Sequence, residues 1–213
     1  PADAPQKRKK KIDVDNFLNN MNAINKHKTN FICVKNPALS FIEVVNMFMP
    51  NKKNIEGIHE KAIIDKNVEL GKTIYIGPYA VIEKGVKIGD FSKIGAGSFI
   101  GENSNIGSQT NIKANVTIYH DVIIKNNCII DSGSIIGADG FGLVNDNGTY
   151  QQMPHIGNVQ INDNVLIGAN CCIDRGTLTN TRIDKGTKLD NLIQIAHNVK
   201  IGKNCRISGQ TAI

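Results

Sequence analysis

From residue 58 to residue 136, one aliphatic residue recurs at every sixth position. The fourteen members of this series are Ile58, Ile64, Leu70, Ile76, Ile82, Ile88, Ile94, Ile100, Ile106, Ile112, Ile118, Ile124, Ile130 and Ile136. The position four residues further on is small or β-branched, as at Ala62, Ser98 and Val116. A period of six fits neither the 3.6-residue period of a helix nor the simple alternation of a strand. It is typical of a parallel β-helix, in which each hexad forms a short strand and a corner and three hexads, about 18 residues, close one coil.

The hexad pattern is interrupted once by a long insertion and once by a shift of register. It stops at residues 137–160, resumes at Ile161, shifts across residues 174–182 and then runs from Ile183 to Ile213. An insertion of that length should leave the coil wall as a loop, and loops on rigid scaffolds often carry function. Because the last residue is itself an inward-facing Ile, we expect the natural protein to continue beyond Ile213.

The first 54 residues follow a different pattern. Residues 1–11 form a polar, basic tail, and residues 12–54 predict a helix that starts at Asp13, a strand at Phe31–Val34 and a second helix at Ala38–Met49. Such a segment is too short to bury a core alone. We therefore predict an all-β parallel β-helix over residues 55–213, with residues 137–160 as an inserted loop, preceded by a small partial α/β segment.

Charge, hydropathy and cysteine content limit the classes of function. The net charge is +6 over 213 residues, but residues 1–28 contribute +4 of it, so the body is nearly neutral and does not predict a nucleic-acid surface. No run of 18 apolar residues predicts a membrane span. The five cysteines include no C-x-x-C pair, which argues against a disulfide framework or zinc site and favours the cytoplasm.

Several stretches around the insertion resemble one family. They are Ile136–Gly142, Ile167–Asn170, Ile173–Gly176, Leu189–Val199, Ala114–His120 and Val34–Pro37. Together they are similar to the UDP-3-O-(3-hydroxyacyl)glucosamine N-acyltransferases of lipid A biosynthesis, and Val34–Pro37 with the helix after it resembles the end of that family's uridine-binding domain. The resemblance implies a left-handed β-helix and a homotrimer with active sites between subunits. It also implies transfer of a 3-hydroxyacyl group from the phosphopantetheine arm of acyl carrier protein to the 2-amino group of UDP-3-O-acylglucosamine, with no permanently bound cofactor.

The same resemblance implies that His197 is the catalytic base, and the chemistry agrees. An amine that attacks a thioester must lose a proton, and an imidazole, which titrates near ~6.5 in model peptides, suits that task. We expect the His197 side chain to point outward. Asp190, one corner earlier, could orient the ring and stabilise the imidazolium. A backbone N–H such as that of Gly209 could stabilise the oxyanion.

Further candidates flank this motif or lie in the insertion. Gln194 and Asn198 could hydrogen-bond the substrate, and His155 in the inserted loop could help to form the sugar or acyl site. Asp174 and Arg175, at the register shift, could form an internal ion pair, or Arg175 could bind a substrate phosphate. His120 could act at a subunit interface.

Two alternatives remain open from the sequence. A metal enzyme of the γ-carbonic anhydrase type needs three His ligands, and only His120 and His197 are plausible, so we predict no metal site. A truncated or degenerate, non-catalytic copy is the other alternative, and the short N-terminal region and abrupt end favour it.

Overall fold

A computed structural model of the chain describes residues 32–49 and 55–213. The first range holds one helix, α1 (Pro37–Phe48). The Asn36 side chain accepts a hydrogen bond from the Leu39 N–H at 3.2 Å and Pro37 occupies the first turn, so the start is capped as helices prefer. This agrees with the predicted helix to within one residue at each end. The predicted strand is wrong for Ile32–Val34, which pair with no strand among the described residues.

The second range is built almost entirely from two-residue strands. In chain order the first fourteen are β1 (Gly57–Ile58), β2 (Ile63–Ile64), β3 (Glu69–Leu70), β4 (Tyr75–Ile76), β5 (Val81–Ile82), β6 (Lys87–Ile88), β7 (Lys93–Ile94), β8 (Phe99–Ile100), β9 (Asn105–Ile106), β10 (Asn111–Ile112), β11 (Thr117–Ile118), β12 (Ile123–Ile124), β13 (Ile129–Ile130) and β14 (Ile135–Ala138). The remaining ten are β15 (Leu143–Asp146), β16 (Thr149–Gln152), β17 (Val159–Ile161), β18 (Leu166–Ile167), β19 (Cys172–Asp174), β20 (Thr181–Ile183), β21 (Lys188–Leu189), β22 (Gln194–Ile195), β23 (Lys200–Ile201) and β24 (Arg206–Ile207).

All of these strands except β15 and β16 stack into three parallel sheets, which form the predicted parallel β-helix. The first sheet has the order β1-β4-β7-β10-β13-β18-β21-β24, the second β2-β5-β8-β11-β14-β19-β22 and the third β3-β6-β9-β12-β17-β20-β23. In the regular coils each residue pairs with the one 18 positions later, as Ile76 does with Ile94. The parallel β-helix is thus confirmed, and its left-handed sense stays a prediction.

The core is a set of aliphatic columns, with hydroxyl groups lining the corners. From Ile76 to Ile195 the inward Ile and Leu residues are almost fully buried. The small residue four positions on has a role that the pattern did not reveal. Ser98 Oγ, for example, donates to the Lys113 carbonyl at 2.8 Å and accepts from the Val116 N–H at 3.2 Å. These buried hydroxyls satisfy corner groups that two-residue strands leave unpaired.

Where a glycine follows an inward residue of the regular coils, as at Gly77, it is required by close packing rather than by backbone freedom. A Cβ on Gly77 would lie 2.8 Å from the backbone nitrogen of Ala96 in the next coil, whereas its φ is not positive. The left-handed conformation falls two residues later, as at Asn115 with φ of 57°. Asn tolerates that region better than most residues do.

The coil is lengthened at two places. Across the insertion, Ile124 pairs with Ile161, 37 positions later, and the additional chain forms an antiparallel hairpin of β15 and β16. Across the register shift, Ile173 pairs with Ile195, 22 positions later, because residues 175–180 form an extended turn. Both extensions leave the wall without breaking the inward column.

Candidate active site

The inserted hairpin segment and the extended turn meet at the corner that follows β22. That corner carries His197, which is half-buried rather than fully outward. Gly140 and His155, from the two ends of the inserted segment, contact or face it, and Thr177 of the extended turn hydrogen-bonds it. The two departures from the repeat therefore build one site around a single imidazole.

The neighbours of His197 fix which ring nitrogen carries the proton. Its Nδ1 lies 2.9 Å from Asn198 Oδ1 and 3.3 Å from Thr177 Oγ1. The Asn198 amide is itself oriented, because its Oδ1 accepts from the Thr177 N–H at 3.1 Å and its Nδ2 donates to Thr179 Oγ1 at 3.0 Å. Nδ1 must then donate to that oxygen, which leaves the lone pair on Nε2 as the basic site.

This network changes the task of Asn198. Both ends of its side-chain amide are hydrogen-bonded within the chain. Its backbone N–H also donates to the Thr181 hydroxyl at 2.8 Å. We had expected Asn198 to contact substrate. Its contacts instead make it a residue that holds His197 in one tautomer.

His155 lies against His197 in the interior of the inserted segment. It is 6% exposed, its Nδ1 is 2.9 Å from the Met153 carbonyl, and the two imidazole centroids are 5.1 Å apart at an interplanar angle of 69°. Its buried Nε2 has no hydrogen-bond partner among the described residues. A Cβ on Gly140 would lie 2.6 Å from His197 Cδ2 and 2.9 Å from His155 Nε2, so bare backbone closes over both rings.

A buried carboxylate, that of Asp174 at the end of β19, faces the two rings. Asp174 is 9% exposed, and Gln194 Nε2 donates to its Oδ2 at 3.0 Å. Burial raises the pKa of the Asp174 carboxyl, while the Gln194 hydrogen bond and the charges on His197 and His155 act in the opposite direction. Gln194, expected to meet substrate, is bonded to this carboxylate.

Asp190 and Gly209 are brought together, but not to His197. Asp190 accepts from the Asn191 N–H at 2.8 Å and from the Gly209 N–H at 3.1 Å. The Gly209 donor proposed for an oxyanion is thus already used by Asp190, and Asp190 shares no hydrogen bond with His197 within the described chain. The carboxylate holds the corner after β21 to the coil above it.

Arg175 is buried and points away from Asp174, so the expected ion pair between them is wrong. Consecutive residues of an extended segment project to opposite sides. The Arg175 Nε donates to the Gly137 carbonyl at 2.8 Å, Nη1 lies 3.0 Å from His120 Nε2, and Nη2 donates to the His120 carbonyl at 2.7 Å. With 1% exposure, Arg175 anchors the root of the inserted segment and is closed to a substrate phosphate.

Comparison with known proteins places the chain among hexapeptide-repeat transferases. Residues 67–102 match the family model "Bacterial transferase hexapeptide (six repeats)" and residues 158–178 match "Hexapeptide repeat of succinyl-transferase". UDP-3-O-acylglucosamine N-acyltransferase 1 of Legionella pneumophila is 51% identical over 182 residues, which is 85% of this chain and 52% of that protein. The UDP-3-O-acylglucosamine N-acyltransferase of Coxiella burnetii is 42% identical over 181 residues, 84% of this chain and 53% of that protein.

By sequence, the chain belongs to the UDP-3-O-acylglucosamine N-acyltransferase family. It spans about half the length of the curated relatives it matches. Among solved structures, an Arabidopsis UDP-N-acetylglucosamine acyltransferase is 20% identical, with a TM-score of 0.45 over 72% of this chain and 66% of that one.

The structure places the predicted base, His197, among neighbours that differ from those predicted from the sequence. Thr177 is not among the residues predicted from the sequence, and Asp174 is considered there only as a partner for Arg175. The described residues contain no group of three or more His, Cys, Asp or Glu side chains placed to hold a metal ion. His120 instead lies 2.7 Å from Asp121 and beside Arg175. In the described ranges, the structure contains no helix long and apolar enough to cross a bilayer.

Proposed function

We propose that this chain forms the catalytic β-helix of an N-acyltransferase that moves a 3-hydroxyacyl group from acyl carrier protein to the 2-amino group of UDP-3-O-acylglucosamine. The observation that carries the proposal is the fixed tautomer of His197, which presents Nε2 as a base at a corner open enough to remain half-exposed. Family membership supplies the substrate class.

The reaction follows from an imidazole held in this way. The sugar amine attacks the thioester carbonyl, a carbon–nitrogen bond forms, and His197 Nε2 takes the proton that the nitrogen loses. The carbon–sulfur bond then breaks, and the imidazolium returns the proton to the sulfur of the phosphopantetheine arm. The products are the amide and the free thiol, and the histidine is regenerated. No permanently bound cofactor enters this scheme.

An apolar stripe on the outer face of the second sheet supports the proposal of a homotrimer. The outward residues of the first five strands there are Ile63, Val81, Phe99, Thr117 and Ile135, which are apolar except for Thr117, and Ile63 is 65% exposed. On the third sheet the corresponding positions carry mostly charged or polar side chains, beginning with Glu69 and Lys87. An apolar stripe beside a polar one favours burial of the former against another subunit.

Two further parts of the proposal concern a contact between subunits and the location of the protein in the cell. Any orienting contact from Asp190 to His197 would have to cross a subunit boundary, since Asp190 is bonded elsewhere within its own chain. A cytoplasmic location is proposed because acyl carrier protein is the donor and because all five cysteines are free.

The test is turnover of the full-length protein with 3-hydroxyacyl-acyl carrier protein and UDP-3-O-acylglucosamine. We expect His197→Ala to lower kcat by about 10²–10⁴-fold, the range typical of a lost general base. His59→Ala, which changes an exposed histidine of the first coil, should leave kcat unchanged. An active wild type with an equally active His197→Ala variant would assign the base elsewhere. A folded wild type without turnover would overturn the proposal and support the degenerate copy.

A further inference from the structure

The site contains a carboxylate to which the resemblance assigned no catalytic role. Asp174 lies in the second sheet directly between two coils: it pairs with Ala138 below, and because Ile173 pairs with Ile195, it lies alongside Ala196 above. That register places it one residue from His197 across the coil spacing of about 4.8 Å.

Within one chain, Asp174 has few groups to offset its charge. Gln194 Nε2 bonds Oδ2, and Oδ1 makes no hydrogen bond among the described residues. The neighbouring cation, Arg175, is turned to Gly137 and His120 on the opposite side. The ionisable groups that face Asp174 are His155 from the inserted segment, His197 from the corner above and Cys172 on its own strand.

Such a carboxylate acts differently before and during proton transfer. While both imidazoles are neutral, the ionised Asp174 side chain has Gln194 as its one hydrogen-bond donor among the described residues and no cation paired with it. When His197 takes a proton from the substrate amine, the carboxylate gains an opposite charge nearby. The interaction is therefore stronger in the transition state than in the ground state, which is the condition for accelerating the chemical step.

We propose that Asp174, held by Gln194, is the residue that within each chain stabilises the protonated form of His197, the role that sequence analysis gave to Asp190. The part of this inference that concerns catalysis rests on the proposed function. The part that concerns the interaction between the Asp174 carboxylate and the His197 ring does not. Asp190 keeps a structural role through Asn191 and Gly209.

The pKa of the Asp174 carboxyl is raised overall, and within that balance the charges on the two histidines act in the direction that the proposed pairing requires. Burial is the largest cause of the rise, and the charges on the two histidines oppose it. Because the interaction is reciprocal, the same pairing must favour the charged imidazole. Replacing the carboxylate by an amide should make that imidazole easier to deprotonate.

The closing experiment is an NMR titration of the histidine rings in the full-length protein, in wild type, Asp174→Asn and Asp190→Asn. Asn retains the size of Asp and an oxygen that can accept from Gln194. We expect Asp174→Asn to lower the pH midpoint of the His197 ring by about one unit, and Asp190→Asn to leave it within about 0.2 units. Titration of the Asp174→Asn variant in a His155→Gln background separates His197 from its neighbouring ring.

The same comparison is then made on activity. The acid limb of kcat/KM should move down with the ring titration in Asp174→Asn, which a purely structural loss would not produce. A shift in Asp190→Asn alone, or no shift in either Asp variant, would overturn the inference. If turnover is absent in every form, the ring titration still decides it.

Discussion

The regular coils and the coils around the inserted hairpin share the same inward aliphatic column, but their buried polar side chains differ. Between β4 and β13, buried polar side chains such as Ser98 bond backbone groups of neighbouring corners. Between β14 and β22, the added residues bring His155, Asp174 and Arg175 into buried positions and set His197 among them. Where the repeat is kept, polar side chains stabilise the coil. Where it is broken, polar side chains gather around His197, which is the proposed base. Departures from local consistency are where functional sites are expected.

Deleting an inward side chain of a regular coil tests the first half of that comparison. Ile130 is fully buried and lies between coils on both sides, so Ile130→Ala should lower the free energy of unfolding by about 2–5 kcal/mol. Ile129 precedes it on the same strand but faces outward and is 37% exposed, so Ile129→Ala should cost under about 1 kcal/mol. Urea unfolding measures both. Equal losses would contradict the division between inward and outward positions.

Adding a side chain at the break tests the second half. A Cβ on Gly140 would lie 2.6 Å from His197 Cδ2, so Gly140→Ala must displace the imidazole or the loop above it. We expect kcat/KM to fall about 100-fold, as for small misplacements of a reacting group, with little change in the unfolding midpoint. Gly202→Ala is the matched control, because its Cβ would meet only Cys205 Sγ, at an ordinary 3.8 Å. Full activity in Gly140→Ala would show that this contact does not position His197.

The regular coils could be predicted most fully, because one six-residue period determines which residues lie next to each other in them. Every inward residue from Ile76 to Ile195 could be named because a six-residue period puts identical side chains above one another. The hairpin was missed, although Asn147–Gly148 is a strong turn signal and both residues have positive φ, 50° and 89°. A long interruption had been treated as a single loop, which hid the strand pair within it.

The residue pairs that contact each other in the site could not be predicted from the regular spacing of the repeat. Thr177 and His197 are 20 positions apart, as are Asp174 and Gln194, whereas regular coils bring residues 18 apart together. The extended turn changes the spacing to 22 for the strands it separates, and its path sets which turn residue meets the imidazole. The sequence predicts the candidate histidine, but the directions of the Asp174 and Arg175 side chains depend on the path of the extended turn, which the repeat does not encode.

The smallest expected effect concerns a hydroxyl that links two regular coils. Ser98→Ala removes the donor to the Lys113 carbonyl and the acceptor for the Val116 N–H, both in buried surroundings, and should cost about 1–3 kcal/mol of unfolding free energy. Ser98→Cys should cost less than the Ala variant, because Cys171 already fills an equivalent position. Its Sγ donates to the Asp190 carbonyl at 3.1 Å and accepts from the Ile193 N–H at 3.5 Å. Urea unfolding of the two variants decides the matter. If Cys destabilised the coil more than Ala, the hydroxyl would matter for its small volume rather than for its hydrogen bonds, and the regular coils would be held by packing alone.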